Sequence, residues 1–383
     1  MKKLPLWKLK REAKRAARQI IGLPGLTWEY LFLRPLYDRK LSRQKVVHDG
    51  AKPIAGEMAI YLVYAPEGLL GSHHDMLAQL AADGITPVVV SNLPLSQQDR
   101  DVLLAQTAMV IERPNVGYDF GGYRDAVLKL APNLPKLDRL YILNDSVWMV
   151  EAPQSWFQQV RATGCDFVGA TSNFGIARVD AEDFRSLEWH YTPDHANFHY
   201  ASYALAVGPN ILRDPRFMEY WHDFRLSNNK KRTVRRGEIG LTKWVLTHSY
   251  SHCATCDVVN LDQDIEAMDN AALDDLARHL IIPEDTRLTE QHAIALQSDP
   301  ATEQGRKDRI QIILTAVARQ AMGYAMPYFT LAHRNFQFVK KSPLRLSRRG
   351  AEIKLEILSQ LDGPKGRRAY EEAQNIFALR NDA

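Results

Sequence analysis

From position 58 to about 260, short unbroken apolar runs alternate with amphipathic stretches of roughly ten residues, the pattern of buried strands separated by surface helices. The runs predict strands at 58–64, 86–90, 108–111, 137–143, 166–170, 203–207 and 251–259. The amphipathic stretches predict helices at 73–82 with Ser72 as cap, 96–106, 119–130, 153–163, 217–226 and 238–247. Strand followed by helix followed by strand implies βαβ units and a mostly parallel sheet flanked by helices, an α/β, Rossmann-like fold. The polar and aromatic stretch 171–200 is too long for a simple connector and suits a loop over an active site. The basic run 230–236 is expected to be a solvated hinge. Beyond 264 the chain becomes a helical extension, with helices expected at 309–322 and 351–361. Upstream, residues 4–21 predict an amphipathic helix, with Leu6, Leu9, Ala13, Ala16, Ala17 and Ile20 on one face and basic residues on the others. Three parts result: a basic N-terminal segment at 1–50, an α/β domain at 56–262 and a helical region at 263–383.

Composition narrows the class. With 383 residues, 45% apolar and 25% charged, the chain has ordinary globular composition. No apolar run reaches the ~20 residues that a bilayer span needs, and no signal-peptide pattern follows the basic start. The protein is expected to be cytoplasmic. Its net charge of +4 conceals basic ends, with 13 Lys/Arg against 4 Asp/Glu in 1–50 and 10 against 3 in 334–368, around an acidic body. That distribution argues against nucleic acid as partner and favours basic arms on an anionic membrane surface. Three cysteines make no disulfide scaffold. His248, His252, Cys253 and Cys256 have zinc-ligand chemistry, but alternation along a strand sends the two cysteines to opposite faces.

Candidate chemistry collects at strand ends, where ligands sit in open α/β sheets. In Asn115-x-Gly117-x-Asp119, the glycine admits a left-handed backbone or close ligand approach, and the amide can both donate and accept. Asp119 suits either ligand hydroxyls or the N-cap of the next helix. Asn144-Asp145-Ser146 ends the fourth strand; its hard oxygen donors suit Mg²⁺ or Mn²⁺ shared with a diphosphate, or an Asx-turn.

The run Arg113-Pro114-Asn115-Val116-Gly117-Tyr118-Asp119-Phe120-Gly121, and then Leu143-Asn144-Asp145-Ser146-Val147, resemble two signature motifs of the rhamnan synthesis protein F family. His199-Tyr200-Ala201-Ser202-Tyr203 and Glu238-Ile239-Gly240-Leu241-Thr242 resemble two further ones, in the same order, over about residues 58–260. Ala201 stands where the family often has Gln, and Trp148 where many members have Pro. The resemblance implies a glycosyltransferase of bacterial surface-polysaccharide assembly with a GT-A-like sheet. The expected donor is a nucleotide-sugar, dTDP-rhamnose by family, and the expected acceptor a lipid-linked glycan at the inner membrane face. Tyr64, Asn92, Asn115, Gly117 and Asp119 would hold the nucleotide, and Asn144 and Asp145 the diphosphate or a metal. A single carboxylate where GT-A enzymes carry Asp-x-Asp leaves metal use open. Arg124 or the 230–236 run could add positive charge. Glu238 is the expected base, with His199 second. A non-catalytic assembly protein on the same sheet, or a sugar-phosphate transferase, would share these features.

Overall fold

The computed structural model describes residue 25 and residues 27–381 apart from 283 and 284. The amphipathic helix expected at 4–21 lies outside the described residues. The strands are β1 (Val46–Asp49), β2 (Glu57–Val63), β3 (Thr86–Ser91), β4 (Met109–Glu112), β5 (Arg139–Asn144), β6 (Val147–Met149), β7 (Phe167–Gly169), β8 (Ser172–Asn173), β9 (His199–Tyr200), β10 (Ala204–Val207), β11 (His252–Ala254) and β12 (Phe338–Lys340).

Eight of them form one mostly parallel sheet in the order β1-β4-β3-β2-β5-β10-β7-β11. Strands β2 to β5 run parallel, and β10 lies antiparallel between β5 and β7. The chain builds outward from β2 through β3 to β4, then returns to place β5 on the other side of β2. The strand order therefore reverses between β2 and β5, and the crevice beyond their carboxyl ends is where such sheets bind ligands.

Alternation along β2 divides the core. Ala59, Tyr61 and Val63 face one layer with Met76, Leu77 and Leu80 of the helix Gly71–Ala82. Met58, Ile60 and Leu62 face the other with Phe120, Tyr123, Val127 and Leu130 of the helix Tyr118–Leu130. Gly122 lets that second helix lie close, since a Cβ there would fall 2.1 Å from Leu62 Cδ1. The first layer continues through Leu276, Ile313 and Phe338, so much of 263–340 packs on the sheet as part of one core.

Ser96 and Ser155 cap their helices by accepting from Asp99 N and Gln158 N. Ser72 is not a cap: it lies inside its helix, and its N and Oγ both donate to Glu372 at 2.8 Å. The expected hinge is the helix Lys230–Arg236, capped by Asn229. Glu29, brought from far upstream, pairs with Arg232 at 3.3 Å and offsets the repulsion among its cations. The strand expected at 251–259 shrinks to β11, followed by the helix Leu261–Glu266. The helices expected near 309–322 and 351–361 are Glu303–Gln320 and Arg348–Ser359.

Candidate active site

Asp145 follows β5 at the point where the strand order reverses. Its backbone N donates to Leu62 O at 3.1 Å, and its Oδ2 accepts from Tyr64 N at 2.7 Å, stitching the ends of β2 and β5 together. Buried His73 accepts from Leu70 N through Nδ1, which leaves the proton of the neutral ring on Nε2, 3.4 Å from Asp145 Oδ2. Asp145 Oδ1 has no hydrogen bond among the described residues.

Asn144 joins the two central motifs. Its amide donates to Asp119 Oδ2 at 3.1 Å and to the Tyr123 hydroxyl at 2.9 Å, while its oxygen accepts from Ser146 N and Oγ. Tyr123 donates onward to Ser202 O at 2.9 Å. Ser202 Oγ in turn donates to Glu238 Oε1 at 2.5 Å, and Glu238 Oε2 lies 3.5 Å from His199 Nε2. His199 Nδ1 donates to Asn197 O at 2.7 Å, which holds the ring with Nε2 toward the carboxylate. Four sequence motifs thus meet in one cluster: hydrogen bonds link Asp119, Asn144, Tyr123, Ser202 and Glu238, and His199 stands beside Glu238 at 3.5 Å.

Burial and the nearby charges of Asp145 and Glu238 push the Asp119 carboxyl up to about 6, against the opposing pull of Lys340 and Lys230. A folded-state value above the unfolded one means that the native protein binds the proton more tightly. Stability therefore falls as pH rises from about 4 to about 6, and the full penalty persists above that window. Asp119→Asn is expected to raise the melting temperature more at pH 8 than at pH 5; equal shifts at both would remove this strain from Asp119.

Asp119 is not the N-cap of its helix. Gly117 occupies that position at φ +83°, and its N donates to Asn228 Oδ1 at 2.9 Å. Asn115 is exposed on the preceding turn, and Tyr64 is exposed at the end of β2. Asn92 is buried, and its Oδ1 accepts from Arg113 at 2.6 Å, which makes it a support of the turn rather than an open nucleotide contact. Arg124 is likewise engaged, by Asp38 at 2.8 and 3.0 Å and by the carbonyls of Trp221 and His222.

Residues that pattern reading passed over complete the site. Phe174, at φ +63°, stacks on His195 at 5.0 Å, lies 6.0 Å from His199 and is covered by Arg178 at 3.5 Å. The long loop 171–200 therefore sets an aromatic face beside His199. Lys340 of β12 lies 4.1 Å from the Tyr203 ring centroid. No local signal marks these residues, because each owes its position to a partner distant in sequence.

Among the described residues, no three His, Cys, Asp or Glu side chains group as a metal centre, including those around Cys253 and Cys256. A Mg²⁺-type ion shared with a diphosphate needs only one or two carboxylates. Asp145 and Asp119 each keep one oxygen without a hydrogen bond, which is the kind of donor such an ion takes.

A family model described as rhamnan synthesis protein F matches residues 87–295, a span that contains Asp119, Asn144, Asp145, His199 and Glu238. A protein of Sinorhizobium fredii (strain NBRC 101917 / NGR234), described as uncharacterized protein y4gN, is 35% identical over 237 residues. The alignment covers 62% of this chain and 57% of that protein.

Proposed function

The chain belongs to the rhamnan synthesis protein F family, and from that premise we propose that it acts in polysaccharide synthesis as a glycosyltransferase using a nucleotide-sugar donor. The observation that carries the proposal is the chain of hydrogen bonds from Asp119 to Glu238, with His199 beside that carboxylate at 3.5 Å. It ties the polar strand ends at the reversal of strand order to a carboxylate that has a histidine beside it.

In a single displacement, the acceptor hydroxyl oxygen attacks the anomeric carbon while its proton passes to Glu238. The bond from that carbon to the diphosphate oxygen breaks, and the nucleoside diphosphate leaves with the electron pair. His199 orients Glu238 and can take up the proton it gains. Asp145, fixed by Tyr64 N and flanked by His73, would face the diphosphate with Asp119; a divalent cation bound there would neutralise the phosphate charge. Gly117 and Asn115 would border the nucleotide, and the stacked pair Phe174–His195 would border the acceptor sugar.

By family, dTDP-rhamnose is the donor to try first and a lipid-linked glycan the acceptor. The purified chain is expected to release dTDP from dTDP-rhamnose when a lipid-linked acceptor is added. Absence of binding to dTDP and UDP, with or without Mn²⁺, would return the chain to a non-catalytic assembly role. Phosphate retained in the product would make it a sugar-phosphate transferase.

No helix among the described residues is long and apolar enough to cross a membrane. A peripheral seat on the inner membrane face is supported by a ridge of half-exposed Trp28, Tyr30, Leu31 and Phe32. Arg225 covers the Tyr30 ring at 3.8 Å and Arg236 approaches it at 5.6 Å, so aromatic rings and cations share one surface, as interfacial segments do. Replacing Trp28 and Phe32 together with Ser is expected to reduce sedimentation with vesicles containing anionic lipid. Unchanged sedimentation would remove the ridge from membrane contact.

A further inference from the structure

We propose that Lys340, carried by the C-terminal region beyond the span matched by the family model, is the cation that receives the diphosphate of the donor. The proposal rests on the glycosyl-transfer reading above and adds a residue to it that lies about 200 positions from Asp145 in sequence.

The backbone fixes the position first. Strand β12 pairs antiparallel with β6, the strand that begins one residue after Asn144-Asp145-Ser146. Lys340 stands opposite Val147, and Lys341 N donates to Ser146 O at 3.0 Å. Two lysines are thus held in register alongside the turn that carries Asp145.

Alternation then gives them different surroundings. Lys341 reaches Glu372 at 3.8 Å and Ser72 Oγ at 3.3 Å, and lies 5.2 Å from the Trp148 ring centroid. Its charge has a carboxylate of its own. Lys340 points to the other face, where Phe338 packs against Tyr203 at 5.6 Å and Trp156 at 5.4 Å. There the Lys340 ammonium meets the Tyr203 ring and has no hydrogen bond and no carboxylate within ion-pair distance among the described residues. Asp119 and Glu238 attract it from further away, and Lys230 repels it. Burial holds it down to about 8.

A second amine accentuates the shortage of negative charge. Lys354, on the helix Arg348–Ser359, is fully buried and its Nζ has no hydrogen-bond partner. Burial and the charge of Lys340 push it down to about 7. Two partly desolvated amines therefore lie near each other, and Asp119 and Glu238 are too far to pair with Lys340. A diphosphate brings the missing charge and accepts the donors that Lys340 leaves unused. Charge-assisted bonds of this kind, made in a water-poor site, are strong and grow stronger as charge collects on the leaving oxygen.

Calorimetry tests this with dTDP and UDP, and with thymidine and uridine as probes lacking phosphate, all in the presence of Mn²⁺. K340M is expected to weaken binding of both diphosphates by about tenfold or more and to leave the weak binding of the nucleosides unchanged. K340R should retain most of the diphosphate affinity, and K341M should differ little from the unaltered protein. Because phosphate favours the charged amine, dTDP binding by the unaltered protein near pH 8 should take up protons, read from heats in buffers of different ionisation enthalpy. That measurement stands even if K340M does not fold. Diphosphate affinity unchanged in K340M, or binding without proton uptake, would overturn the assignment while leaving glycosyl transfer intact. Failure of the unaltered protein to bind any nucleotide would instead overturn the transfer reading itself.

Discussion

Glu238→Gln is expected to lower sugar transfer by about 10²–10⁴-fold, the range lost when a positioned general base is removed. Glutamine keeps the length of the side chain, and its carbonyl oxygen can still accept from Ser202 Oγ, now 2.5 Å from Glu238 Oε1. It cannot take a proton from an acceptor hydroxyl. The loss should therefore fall on kcat, with donor binding by calorimetry close to that of the unaltered protein. His199→Asn should lose less, because the carboxylate remains. Transfer within a few-fold of normal in Glu238→Gln would move the base elsewhere in the crevice.

The second large effect is on stability. Asp125→Ala is expected to destabilise the fold by about 3–5 kcal/mol, the cost of leaving a buried charge without its partner. Asp125 is buried on the helix Tyr118–Leu130, and its Oδ2 accepts from Arg113 Nε at 2.7 Å and from the Tyr37 hydroxyl. The Arg113 side chain is wholly buried and donates also to Asn92 Oδ1 and, at 2.7 Å, to Val116 O. Removing Asp125 strands that guanidinium; Lys45, 3.6 Å from Asp125 Oδ1, loses a partner as well. The shift in the urea midpoint at unchanged slope measures the loss. A change below about 1 kcal/mol would mean that Arg113 is satisfied without a carboxylate. Because Arg113 also holds the turn before Gly117, nucleotide affinity should weaken in parallel.

These two residues show where pattern reading succeeds and where it stops. Glu238 opens a helix whose bounds, 238–247, match the structure, because helix period and a following β-turnless apolar face are local properties. The helix expected at 96–106 is present for the same reason, as Gln97–Gln106. Asn92 was read as a ligand contact because it follows a strand, yet it is held by Arg113, 21 residues away. The run 230–236 read as a solvated hinge because long basic side chains usually stay hydrated; Glu29 and the Asn229 cap make it a helix. Ser72, a sensible cap on its own, serves Glu372 from the far end of the chain. Arg124 suggested a free cation and is instead bound to Asp38.

By itself, the amino-acid order determined the alternation of strands and helices, the parallel sheet that follows from it, and the polar turns at 115–119 and 144–146. Apolar periodicity, turn chemistry and the reach of a few neighbouring side chains suffice for these, since all act within about ten residues. Only the tertiary structure decided that Asn144 would bond Asp119 and Tyr123, that Glu238 would meet His199 and Ser202, and that Lys340 would stand beside the Asn-Asp-Ser turn. Such pairings depend on where the chain returns, and hydrogen bonds and charges a few ångströms apart in space leave no periodic trace along the sequence.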